Sequence, residues 1–394
     1  VDLTREGDHH VFFKNQRQQK AQLQENTMPQ HPHHRLLINK QDITQIRIDN
    51  QPPPATLAPG ELLLAPDLFS LTTNNVTYAA YGAAMRYWDF FPTGDADWGQ
   101  VPVWGFANVV ASAVEGISVG ERYYGYFPPA SVLRVQAANV GKRGFRDGSA
   151  HRQALPAAYN QYLRCDVDPL YTAGSEAFQA IFRPLFITSF TLADFLADNN
   201  WFGAQRVVIS SASSKTAYGT GFCIGDAVET MGLTSERHRD FVAGSGCYRR
   251  TLTYAQLDTL DAQVPTLYVD FSGDRELRSA IHHHCRELKY SCVVGSAQTV
   301  VLTGQGPKKQ TLPGPAPTFF FAPEQILKRT AQWGAQTFGE QLGNAWTRFG
   351  AHVNDPQREL LRIVEGHGVD AAQQVFAQLL AGGVKPQAGH VIRL

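Results

Sequence analysis

One stretch constrains the fold more than any other: RVVISSASSKTAYGTGFCIGDAVETMGLTSERHR, residues 206–239. Arg206 to Ile209 reads as a short buried strand of β-branched residues. The chain then enters SSASSKTAYG, small or hydroxylic throughout except for Lys215 and Tyr218. A helix is predicted from about Thr216 to Asp226, and Ala227 to Leu233 forms a second strand. Strand, small-residue turn and helix in that order make a phosphate cradle. A helix N-terminus presents unpaired N–H groups and the positive end of its dipole to an anion. The glycine fingerprint GxGxxG is absent; Ser and Ala permit close approach, but they reach positive φ at a cost that Gly avoids. The competing reading is a buried strand followed by a serine-rich turn with no ligand.

At 394 residues the chain is long for one core, so two domains are expected. Its 35 acidic and 35 Lys or Arg side chains cancel, which argues against nucleic acid or an acidic membrane as the main partner. No apolar run of about 18 residues and no secretory segment stands out, so a cytoplasmic protein is expected. Cys165, Cys223, Cys247, Cys285 and Cys292 are an odd, widely spaced set without a CxxC pair. They suggest neither a disulfide framework nor a structural zinc.

Residues 1–35 are expected to be a disordered or non-native extension, with Met28 as a natural beginning; His31, His33 and His34 lack the frame that a metal needs. From Leu36 short alternating runs read as strands, and 99–135 reads as strand, Gly turn, strand, as in a small curled barrel. The segment 72–92 is dense in Asn, Thr and aromatic residues and turns helical after Val76. Residues 175–203 are helical and aromatic-rich, and deliver the chain to the Arg206 strand. Beyond it, strands at 247–254, 265–273 and 289–297 alternate with helices, which argues for βαβ units in a parallel sheet. A Pro- and Gly-rich loop at 303–317 precedes a helix entered through Pro323, and the chain closes with a strand, a helix (371–381) and a final strand.

In this order the pieces resemble the medium-chain dehydrogenase/reductase superfamily, over roughly residues 36–394. The resemblance is carried by VPVWGFANVVASAVEGISVGERYYGY, AVETMGLTSERHRDFVAGSGCY and the closing GGVKPQAGHVIRL. TNNVTYA, YWDFFP, YGYFPP and SSASSKTAYG add a narrower likeness to the DUF2855 family of bacterial proteins. The implied fold is α/β plus β. A GroES-like curled barrel (36–183, returning at 336–394) flanks a Rossmann doubly wound parallel sheet (184–335), with the active site between them. Zinc-dependent members need converging Cys, His and carboxylate ligands. The first loop here, TTNNVTYAA, has neither Cys or His, no GHE precedes GFANVV, and Cys165 has no evident co-ligand. The implied enzyme is therefore metal-free: it binds NADP and reduces a carbonyl, enone or quinone by direct hydride transfer. A non-catalytic NADP-binding redox sensor and an enoyl-thioester reductase are the alternatives, and a homodimer acting on a small molecule is expected.

Ser211, Ser213, Ser214, Lys215 and Thr216 are expected to line the pyrophosphate, with Lys215 adding a point charge. Tyr218 and Gly219 let the helix pack closely on the sheet, or Tyr218 faces the nicotinamide. The second strand exits through Thr234 and Ser235 toward Arg237 and Arg239. That set suits a 2′-phosphate and favours NADP over NAD, although Glu236 is a candidate ribose acid. Tyr248 and Tyr254 either edge the adenine or simply pack. For the chemistry, the resemblance places Asn74, Asn75, Thr77 and Tyr78 in the first active-site loop. Tyr78, with a pKa near 10, is expected as a hydrogen-bond donor or neutral acid, with Asn75 and Thr77 beside it. Asn74, Tyr87, Trp88 and Tyr126 are expected to wall a flat substrate, the alternative being domain-interface packing. His282, His283 and His284 cannot face one metal from consecutive helix positions, and Asp270 with Gly273 is expected to order a turn.

Overall fold

The computed structural model describes residues 33–51, 56–294 and 312–394. Most of the expected N-terminal extension and most of the 303–317 loop lie outside the described residues. A small antiparallel sheet combines β1 (His33–Asn39), β2 (Ile46–Gln51) and β4 (Trp98–Gly99). Beside it stands the barrel: β3 (Glu61–Leu71), β5 (Val103–Ser112), β6 (Arg122–Phe127), β9 (Gln161–Arg164), β8 (Gly144–Asp147) and β7 (Leu133–Gly141) in spatial order. Pairing of β7 back onto β3 closes a six-stranded ring. Two late strands, β16 (Arg362–His367) and β17 (Ala388–Arg393), extend it, with β17 antiparallel to β3.

The other domain is a six-stranded sheet of β10 (Arg206–Ile209), β11 (Glu229–Thr234), β12 (Arg250–Thr253), β13 (Thr266–Asp270), β14 (Leu288–Val293) and β15 (Thr318–Phe319). All pairings in it are parallel, in the spatial order β12-β11-β10-β13-β14-β15. Numbered from β10, this is 3-2-1-4-5-6, the doubly wound order in which ligands sit at the carboxyl ends of the strands where the order reverses. RVVI and TLYVD are buried along their whole length, as central parallel strands covered on both faces must be. The fold is therefore the expected barrel and Rossmann sheet.

Two helices join these halves. α2 (Glu176–Asp198) carries an apolar window of mean hydropathy 1.4, despite the expectation that no such run exists. It is packed inside: Phe178, Phe182 and Phe186 meet Phe349 and Trp346 of α7 (Ala335–Val353), and Phe182 and Phe349 reach Tyr218 of α3 (Lys215–Ile224). Other elements are shorter or earlier than expected. α1 (Thr73–Ala80) begins before Val76 because Thr72 caps it, and the strand predicted over 247–254 is confined to Arg250–Thr253. The remaining helices are α4 (Arg239–Gly244), α5 (Arg275–His284), α6 (Ala322–Trp333) and α8 (Gly368–Leu380).

Candidate functional site

The register of the parallel sheet brings the ends of β10, β11 and β13 to one edge, Ile209 beside Gly232 and Val269. The next residue, Ser210, is fully buried and works as a hub. Its Oγ donates to Asp270 Oδ1 (3.1 Å) and accepts from the Tyr268 hydroxyl (3.1 Å) and the N–H groups of Phe271 (3.1 Å) and Ser272 (3.2 Å). Asp270 also accepts from Ser272 and Gly273 and is held by Arg278 through Nε (2.8 Å) and a terminal nitrogen (2.6 Å). Asp270 thus ties the turn after β13 to the turn after β10.

Ser211, Ser213 and Thr216 stand at the three spacings where the fingerprint has glycines. Ser211 adopts φ +48°, the left-handed conformation that the first fingerprint glycine exists to supply. Its N–H donates to the Tyr254 hydroxyl (3.3 Å) and its carbonyl accepts from Ser214 N–H (2.8 Å). Ser214 caps α3, its Oγ accepting from Ala217 N–H (3.3 Å). The first-turn N–H groups of Lys215 and Thr216 have no i−4 carbonyl within the helix, the usual condition of an anion site. Tyr248 buttresses the turn by donating to the Ala212 carbonyl (3.0 Å). Its ring lies 2.8 Å from where a Cβ on Gly232 would stand and 2.9 Å from one on Gly221.

Thr234 is buried at the end of β11, with Ser235 half-buried after it. Glu236, Arg237 and Arg239 are exposed, and no ion pair involves them among the described residues. Sequence reasoning missed His238 between the two arginines. Its Nδ1 is 3.1 Å from Ser213 Oγ, joining the exit of β11 to the serine turn, and burial followed by the Arg237 charge lowers its pKa. A histidine between two arginines, with two hydroxyls just before them, all within residues 234–239, was the available signal.

The structure gathers Asn74, Tyr78, Tyr87 and Tyr126 into one aromatic cluster. Tyr78 lies 4.3 Å from Tyr87 and 5.9 Å from Tyr126 by ring centroids, and Phe90, Trp104 and Tyr159 complete the set. Asn74 Nδ2 donates to the Tyr78 hydroxyl oxygen (2.7 Å). Burial pushes the Tyr78 pKa far above the usual tyrosine value, so its hydroxyl holds its proton. Trp104 was also missed. It pairs with Tyr126 in the β5–β6 register, faces the Tyr78 oxygen, and has no hydrogen-bond partner of good geometry for Nε1. It touches both the barrel core holding Tyr78 and the junction core holding Tyr218.

Several residues stand apart from their expected places. Asn75 completes a capping box with Thr72, its Oδ1 accepting from Thr72 N–H (2.8 Å) while Nδ2 donates to the Pro102 carbonyl (2.9 Å). Both ends of the amide are committed to structure, so Asn75 is not free for catalysis. Thr77 Oγ1 bonds only weakly to the Thr73 carbonyl (3.4 Å). Trp88 is a packing residue, its ring clasped 2.2 Å from a Cβ position on Gly82 and 2.5 Å from one on Gly99. Tyr218 is fully buried among Phe182, Phe241 and Phe349, the packing alternative. Lys215 turns to the barrel, donating to the carbonyls of Pro386 (2.9 Å) and Ala388 (2.8 Å). Among the described residues no three His, Cys, Asp or Glu side chains form a metal-binding group. Burial pushes the Cys165 and Cys247 thiols up to about 12. His282, His283 and His284 diverge, bonding to Ser291 and Pro313, to Ser279, and to Leu260 respectively.

The family model described as "Protein of unknown function (DUF2855)" matches residues 69–385. The chain belongs to the DUF2855 family. No curated protein matches it. Among solved structures, this DUF2855 protein is similar to CurA from Vibrio vulnificus in complex with NADPH: 14% identity, TM-score 0.56, covering 91% of this chain and 98% of that one. It is also similar to the CurK enoyl reductase, at 12% identity and TM-score 0.52, covering 92% and 99% of the two chains. The quinone oxidoreductase from Coxiella burnetii shows 13% identity and TM-score 0.50, covering 92% and 100%. At such identities the likeness establishes the shared fold.

Proposed function

We propose that this DUF2855 protein is an NADPH-dependent reductase acting on a flat, apolar carbonyl, enone or quinone without a metal. The observation that carries the reading is the cradle: Ser211 in the left-handed region, a capped helix start, and two unpaired arginines at the exit of β11. The residues fit a dinucleotide. Ser213, Ser214 and the first-turn N–H groups of α3 would hold its pyrophosphate, Thr234 and Ser235 its ribose edge, Arg237 and Arg239 a 2′-phosphate, and Tyr254 the adenosine side. NADPH, when bound, supplies the hydride. NADPH in CurA and the enoyl and quinone reductases of like fold support this choice.

The chain's own contribution to chemistry is assigned to Tyr78. Kept protonated by burial and oriented by Asn74, it donates a hydrogen bond to the oxygen on which charge develops, within walls formed by Tyr87, Tyr126 and Trp104. A homodimer is part of the same reading, tested by solution mass. Fluorescence titration with NADPH and NADH is the primary test: NADPH is expected to bind more tightly, and no binding of either would sink the proposal. With turnover in hand, Tyr78→Phe is expected to lower kcat about 10²-fold at unchanged NADPH affinity. Tight NADPH binding with no oxidation by a broad panel of enones and quinones would instead favour a redox sensor.

A further inference from the structure

Buried hydrogen-bond donors outnumber the places left for them around the Tyr78 oxygen. Asn74 Nδ2 already donates to it (2.7 Å), which leaves one lone pair. The Trp104 indole N–H and the Tyr126 hydroxyl both approach the same oxygen, and neither meets a partner at hydrogen-bonding geometry. Tyr126 is fully buried; Trp104 is half-buried, but its Nε1 is closed off from the surface. One lone pair cannot serve two donors. A tyrosine hydroxyl can swing its proton to another acceptor and can itself accept, whereas an indole N–H does neither. The surplus therefore falls on Trp104.

The indole is held as a fixed donor. It stands opposite Tyr126 in the β5–β6 register, stacks on Tyr124 (5.6 Å between centroids, 16° between planes) and meets Tyr126 and Tyr159 at 4.9 and 5.8 Å. The groups acting most strongly on the hydroxyls of Tyr78, Tyr87, Tyr126 and Tyr159 are one another, Asn74 and Trp104; no carboxylate, imidazole or cation is among them. A ligand oxygen arriving here meets neutral donors. A carboxylate would be buried without a counter-charge, which costs far more than burying a neutral carbonyl. A buried N–H without an acceptor forfeits its desolvation cost, and a ligand that brings an acceptor recovers it. We propose that the Trp104 indole N–H is the second donor to the substrate oxygen, beside the Tyr78 hydroxyl, and that the pair selects a neutral carbonyl over a carboxylate. Two donors match the two lone pairs of a carbonyl oxygen, while Tyr126 takes the lone pair that remains on Tyr78. The inference rests on the reading of this cluster as the substrate site.

The test titrates acetonaphthone, methylnaphthalene and naphthoate into the full chain with NADP+ present, so that no reduction follows. The ketone is expected to move one indole N–H proton resonance downfield, one that is missing from Trp104→Phe, and methylnaphthalene is expected to leave it unbonded. Trp104→Phe is expected to raise the C=O stretching frequency of the bound ketone and to weaken its binding about tenfold, with methylnaphthalene held within about twofold of the parent. Naphthoate is expected to bind the parent at least about tenfold more weakly than the ketone. A purely packing role for the ring would weaken ketone and methylnaphthalene alike. If Trp104→Phe does not fold, as its thermal midpoint reports, the parent's indole resonances decide alone. Ketone binding with no indole N–H moved, an unchanged C=O frequency in Trp104→Phe, or equal losses for ketone and methylnaphthalene overturns the second donor. Naphthoate bound as tightly as the ketone overturns the selection. Each of these leaves the Tyr78 reading standing if Tyr78→Phe still shifts the C=O frequency. No ketone binding, or a frequency that moves in neither variant, removes the substrate-site reading as well.

Discussion

Ser211→Gly probes the cradle where its sequence departs furthest from the glycine pattern. At φ +48°, Ser211 occupies a region that costs an L-residue roughly 1–2 kcal/mol. Glycine removes that cost, but its freer unfolded chain gives back roughly 0.5–1 kcal/mol. The backbone contacts survive, since Ser211 N–H to Tyr254 and Ser214 N–H to the Ser211 carbonyl need no side chain. The net expectation is a gain of roughly 0.5–1 kcal/mol, with NADPH affinity unchanged within about twofold. Ser211→Val is the opposing arm, because a β-branched residue in this conformation is strained further. It is expected to lose at least about 2 kcal/mol and to weaken NADPH about tenfold as the turn opens. Urea unfolding gives the first quantity and NADPH fluorescence the second. A valine variant as stable as the parent would refute the argument, because position 211 would then lie outside the left-handed region.

Arg237→Ala with Arg239→Ala is expected to raise the NADPH Kd by at least about 10²-fold and leave NADH unchanged, at roughly 1.5–3 kcal/mol per charge-assisted bond; equal losses for both dinucleotides would contradict the 2′-phosphate assignment. Asp270→Asn is expected to destabilise by about 3 kcal/mol in urea, since it leaves the mostly buried Arg278 without its carboxylate; a loss below about 1 kcal/mol would show that the pair is not holding the turn. His238, His282, His352 and His390 all have pKa values lowered first by burial. The unfolded chain therefore binds more protons near their ordinary value of about 6.5, so stability falls as pH drops from about 6.5 to 5. His282→Asn should flatten that slope; stability that holds steady or rises on acidification would contradict the sign.

What could be read in the sequence divides by the physics that positions each group. The parallel sheet was legible because RVVI and TLYVD are buried on both faces, and their apolar runs and regular spacing are properties of the local chain. The cradle was legible for the same reason: turn and helix cap lie within about six residues of their strand. Lys215 shows the limit. Its type and its place at a helix start were visible, but its acceptors lie 171 and 173 residues away, and only the return of the chain to the barrel brings them near. Asn75 misled in the other direction: in a loop likened to an active site it read as chemistry, whereas Thr72 three residues earlier turns it into a cap.

The aromatic cluster proposed as the substrate site was least legible because its rings come from five separate stretches: α1, the Tyr87–Phe90 turn, β5, β6 and the Tyr159 segment. Sheet register decides which side of β5 Trp104 occupies, and so whether its N–H faces Tyr78 or solvent. Trp88 stands next to Tyr87, yet two glycines draw it into packing while Tyr87 joins the cluster. Composition cannot separate those neighbours; sterics against Gly82 and Gly99 can. The proposed cofactor cradle is therefore specified mainly by backbone and the proposed substrate cluster by tertiary placement, which is why a dinucleotide is more directly proposed from this chain than a substrate.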